Sequence, residues 1–119
     1  WKDNGELKFY ISSQPADSSL IEPVAYDEVI TTKVCRLDSF IDTKIKCLKL
    51  EAEGAEPEIL EGASEVLNKI QYIAVDGGYE RGKEQTETFS ALCNTLHDHN
   101  FEIVSINFEW ARALFYRKA

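Results

Sequence analysis

The run Cys47-Leu48-Lys49-Leu50-Glu51-Ala52-Glu53-Gly54-Ala55-Glu56 sets two carboxylates and a glycine directly after a short apolar stretch. Paired carboxylates suit acid–base chemistry, because two like charges held close raise the pKa of one of them. If strand alternation carries through, Glu51 and Glu53 point to one side and Ala52 to the other. A plainer role is open to both, since the N-terminus of a following helix attracts anions. Asp76 is a third candidate: it ends the apolar run 71–76 and precedes Gly77-Gly78, so it serves either a site or a turn. With Glu51 and Glu53 it would also make an oxygen set for Mg²⁺ or Mn²⁺.

Other polar residues carry less. Tyr79, Glu80, Arg81 and Lys83 fall in a loop that either covers an acceptor or is plainly solvated. Glu56, Glu58 and Glu61 are expected to form a solvated first helical turn. His97 and His99, two apart on a helix, face different directions, so no metal site is expected there. Trp110 falls in a turn and is expected to pack. Lys49, inside an apolar strand, needs an edge position or an acidic partner.

The elements that must position these groups follow from patterning. Residues 7–11 and 29–37 read as strands, separated by a Ser-, Pro- and Asp-rich loop over 12–23 that is expected to be mobile. Asp38 suits the cap of a short turn over 39–42. Residues 45–50 are apolar on both faces, as a buried parallel strand requires. Pro57 with Glu56 and Glu58 opens a helix that Gly62 interrupts and that Val66, Leu67 and Ile70 continue. A strand over 71–76, a helix over 86–99 and a strand over 101–106 follow, and Asn100 suits a left-handed helix end. Strand-helix alternation here implies parallel strands with right-handed crossovers. The last strand, 114–117, is too close to 101–106 for a crossover and must close an antiparallel hairpin.

Bulk properties narrow the class. The chain has 119 residues, 44% of them hydrophobic, enough for one α/β domain with its own core. A net charge of −8 argues against nucleic acid and anionic membrane as main partners. No stretch of about 18 apolar residues occurs and no signal peptide opens the sequence. Cys35, Cys47 and Cys93 are odd in number and lack metal-ligand spacing, so buried free thiols in a reducing, cytoplasmic setting are expected. The start at Trp1 and the lack of any Met suggest a truncated single domain over 1–119.

Three segments then combine: Arg36-Leu37-Asp38-Ser39-Phe40, Leu48 to Ala63, and Ile73-Ala74-Val75-Asp76. In this order and spacing, with the closing hairpin, they resemble the C-terminal part of the FkbM-type methyltransferases. The resemblance implies a three-layer, Rossmann-like class I methyltransferase fold and S-adenosylmethionine as donor. It implies O-methylation of a hydroxyl on a small molecule or sugar. On this basis Glu51, Glu53 and Asp76 are the catalytic candidates. Glu51 and Gly54 would face the donor, and Glu53, Tyr79 and Arg81 the acceptor. Glu51 stands where the family usually has Asp, and Asp76 where it usually has Glu. The glycine-rich donor loop of the family is not in this sequence. Two other readings remain: a non-catalytic binding domain dimerising through the exposed edge of strand 45–50, and a carboxylate- and metal-dependent enzyme.

Overall fold

Six strands and two helices form, with the strand expected over 29–37 ending at Val34. The computed structural model describes residues 1–119. Strands β1 (Gly5–Ile11) and β2 (Glu28–Val34) pair antiparallel, with Gly5 opposite Val34 and Ile11 opposite Glu28. The loop between them is held rather than free: Ser19 exchanges backbone hydrogen bonds with Tyr10 at 2.9 and 3.0 Å and is 3% exposed. Asp38 does not cap the short turn Leu37–Ser39. Its carboxylate is drawn to the Arg36 guanidinium at 2.5 Å, which also donates to the Lys2 carbonyl at 2.7 Å.

Strands β3 (Ile45–Leu50) and β4 (Ile70–Asp76) pair in parallel through the short helix α1 (Glu56–Glu61). The expected longer helix stops at Gly62. The Trp1 carbonyl occupies the place where a Cβ at Gly62 would sit, so only glycine fits there. Val66 and Leu67 are buried by tight turns instead. Helix α2 (Phe89–Asp98) leads through Asn100, at φ 66, into β5 (Phe101–Asn107), and β6 (Arg112–Arg117) closes the hairpin. The sheet order is β3-β4-β6-β5. Strand β5 thus runs in the same sense as β3 and β4 but is separated from β4 by β6, which is antiparallel to both its neighbours.

The core lies on one face of this sheet. Leu50, Ile73, Val75, Ala113 and Phe115 pack there with Leu60 of α1 and Leu92 and Leu96 of α2. Each fully buried Leu, Ile or Phe contributes about 1.5–3 kcal/mol. The opposite face is bare. Cys47 and Lys49 are exposed on it, and Tyr72 and Tyr116, ring centroids 5.2 Å apart, are half-buried. The arrangement is therefore a mixed α/β domain with a four-stranded sheet and a separate two-stranded sheet. The thiols also differ from expectation: Cys35 and Cys47 are exposed and Cys93 is half-buried, because Cys47 points to the uncovered face and Cys35 lies past the end of β2. No helix is long and apolar enough to cross a membrane.

Candidate functional site

Strand β3 ends at Leu50, and the chain then turns sharply into α1. Two consecutive residues make the turn with positive φ, Glu53 at 49° and Gly54 at 93°. A Cβ at Gly54 would lie 2.5 Å from the Arg81 Cα, so the close approach of that loop also requires glycine. Glu56 ties the turn down. One carboxylate oxygen accepts from the Ala52 N–H at 2.7 Å and the Gly54 N–H at 3.2 Å, and the other accepts from the Thr88 hydroxyl at 3.2 Å. Glu56 is only 1% exposed, against the expectation of a solvated residue, because the turn's unpaired N–H groups need an acceptor. Arg81 completes the clasp. Its guanidinium meets Glu58 at 2.8 and 2.6 Å and donates to the Gly54 carbonyl. That engagement leaves Arg81 a support of the turn, and Glu58 is not free in solvent either.

The turn ends strand alternation after Leu50, so Glu51 and Glu53 part company. Glu51 stays on the bare face, paired with Lys49 at 2.6 Å, which holds its carboxyl below the usual range. Lys49 is thus both at the edge and paired. Glu51 borders a groove of about 560 Å³ shared with Asp76, Asn107 and Arg112. Asp76 is 8% exposed and accepts from Arg112 Nε at 2.6 Å. It also accepts weakly from the Gly78 N–H at 3.4 Å, so its turn-forming role is realised alongside its place in the groove.

Glu53 has no cationic partner. Partial burial pushes its carboxyl up to about 7, with the charges of Glu80, Asp17, Glu56 and Glu51 adding in that order. The like-charge pairing with Glu51 expected from spacing is the smallest of these causes. Glu53 lines a second pocket of about 310 Å³ with Ser19, Asp17, Tyr79 and Glu80. Its carbonyl accepts from the Ser19 hydroxyl at 2.9 Å, which joins the 12–27 loop to the turn. Glu80 is raised too, first by loss of hydration and then by Asp76 and Glu56. Tyr79, 71% exposed, stands at the mouth. A further groove of about 450 Å³ is lined by both Glu51 and Glu53.

The remaining candidates fall elsewhere. Trp110 is 58% exposed rather than packed, its ring 5.8 Å from the Arg112 guanidinium. His99 Nδ1 lies 2.8 Å from the Thr95 carbonyl, and His97 projects outward. No group of three or more His, Cys, Asp or Glu side chains is arranged to hold a metal, Glu51, Glu53 and Asp76 included. Sequence reading missed Arg112, Asp17 and Ser19. The Asp76–Arg112 register follows only once β6 is known to sit beside β4.

Parallel strands whose carboxyl ends carry unequal carboxylates beside pockets belong to the α/β class that places its chemistry outside the strand ends. Residues 1–103 match the family model described as the methyltransferase FkbM domain, and the chain belongs to that family. No curated relative and no solved structure matches it.

Proposed function

We propose that this chain forms the acceptor side of an S-adenosylmethionine-dependent O-methyltransferase acting on a hydroxyl of a small molecule or sugar. One observation carries the reading: Glu53 is a carboxylate without a cation, held in a pocket with its pKa near 7. A general base works best when its pKa lies near the operating pH. The acceptor hydroxyl enters the pocket lined by Ser19, Tyr79 and Glu80, and its proton passes to the Glu53 carboxylate. Partial burial, and then Glu80 and Asp17, keep that carboxylate basic enough to take it. The open ring of Tyr79 offers a surface for a sugar or other ring to rest on.

The residues present fit one end of the donor. Glu51 and Glu53 border one groove, and the Glu53 carboxylate, which has no cationic partner, favours a cationic sulfonium there. When bound, S-adenosylmethionine supplies an electrophilic methyl group. Gly54 keeps the backbone turn that aims both acids. No glycine-rich loop for the adenosine end occurs among these residues.

Calorimetric titration of S-adenosylmethionine into the 119-residue chain, with transfer assays on simple sugar alcohols, tests this. Donor binding, and a transfer rate that falls about 10²–10⁴-fold in Glu53→Gln, is the expected result. Full transfer activity in that variant would reject Glu53 as the base.

A further inference from the structure

Charge in this acidic molecule is divided between the two ends of the four-stranded sheet. The carboxylates described above lie at the carboxyl ends of β3 and β4. The opposite end, about 20 Å away along the strands, carries a groove of about 520 Å³ whose charged side chains are all cationic: Lys44, Lys46, Lys69, Arg117 and Lys118. Five of the 13 Lys and Arg residues of the chain border this one groove, in a protein with 21 acids.

Most cations elsewhere are ion-paired, with Lys2, Lys8 and Lys33 the exceptions. Arg36, Lys49, Arg81, Lys83 and Arg112 each hold a carboxylate. In the groove only Lys118 does so, with Glu102 at 2.8 Å. Lys69 reaches only the Ile41 carbonyl, at 3.4 Å. Lys46 sits 5.3 Å above the Tyr72 ring, which places its ammonium without neutralising it. The Nε of Arg117 is buried with no hydrogen-bond acceptor, the only such side-chain atom in the molecule. A buried donor left without an acceptor is destabilising, and an anion held by the Arg117 guanidinium would relieve it.

We propose that this groove binds a phosphate group, with Arg117 as the directional donor and Lys44, Lys46 and Lys69 as the surrounding charge. A guanidinium fork matches the paired oxygens of a phosphate, and ammonium groups complete its neutralisation. The site is separate from the methyl-transfer pocket and does not depend on that assignment. The phosphate belongs either to a free small molecule or to a lipid headgroup.

Amide shifts of the 119-residue chain, followed during titration with inorganic phosphate at constant ionic strength, test the proposal. The expected result is saturable shifts at residues 44–46, 69–71 and 116–118, with a midpoint in the millimolar range. Arg117→Gln should raise that midpoint about tenfold. The double variant Lys44→Gln/Lys46→Gln, at exposed positions that leave the core intact, should raise it by a similar factor. If free phosphate gives no saturable response but vesicles of phosphatidylcholine with phosphatidic acid bind and the double variant does not, the site takes a lipid phosphate. No response to either probe, or equal binding by both variants and the parent chain, overturns the proposal.

Discussion

Glu51 and Glu53 stand two residues apart, and their surroundings are opposite. Glu51 lies at the end of a regular strand on an open face, 2.6 Å from Lys49, and its carboxyl is held low. Glu53 lies in a left-handed turn, without a cation, among Glu80, Asp17 and Glu56, and its carboxyl is pushed up to about 7. The difference comes from the backbone. A single turn of positive φ moves the second acid out of strand register and into a pocket closed by the 12–27 loop. Two residues of one type become an ion-pair member and a base near neutrality.

The sharpest way to break this contrast is to release the turn. Glu56→Ala removes the acceptor of two backbone N–H groups in a buried site and should cost about 3 kcal/mol, lowering the unfolding midpoint by roughly 12 °C or more. Arg81→Ala keeps Glu56 but opens the clasp on the Gly54 carbonyl and should cost about 2 kcal/mol. In both variants Glu53 should titrate closer to its ordinary 4.5, since its pocket loosens. Unfolding melts and a carboxyl titration of each variant check the pair. An undisturbed Glu53 in a destabilised Glu56→Ala protein would mean that the turn does not set the contrast.

A smaller effect separates the two acids by pH. The fold favours protonated Glu53, so its contribution to stability is present at low pH and declines as pH rises from 4.5 to about 7. Above that range Glu53→Gln should be the more stable protein, by about 1 kcal/mol or less after allowance for partial exposure, and the gap should close below pH 4.5. Glu51 has the opposite sign, because its lowered pKa stabilises at neutral pH and that benefit is lost on acidification. Its partner Lys49 is 76% exposed, so Glu51→Gln should change the melting midpoint by no more than about 2 °C at pH 7. Melts of both variants at pH 4 and pH 8 expose the crossing.

Much of this was legible in the sequence. The parallel β3–β4 pair, the glycine turn, the closing hairpin and the left-handed Asn100 follow from periodicity and turn chemistry. Asp76 near Glu51 follows from the parallel pairing. What patterning could not reach was set by contacts far apart in the chain. The insertion of β6 beside β4 puts Arg112 on Asp76. Burial of Glu56 answers unpaired N–H groups that exist only once the turn has formed. The Trp1 carbonyl against Gly62 leaves no room for a side chain at the end of α1. Apolar residues on both faces of β3 read as buried, yet Cys47 on its outer face is exposed.

The central claim is that Glu53 is poised as a base while Glu51 is not. Carbon-detected NMR titration of the glutamate carboxyls, with Glu51→Gln and Glu53→Gln for assignment, addresses it directly. A midpoint near 7 for Glu53, with Glu51 titrating below 4.5, is the predicted result. A Glu53 midpoint at or below 4.5 would contradict it.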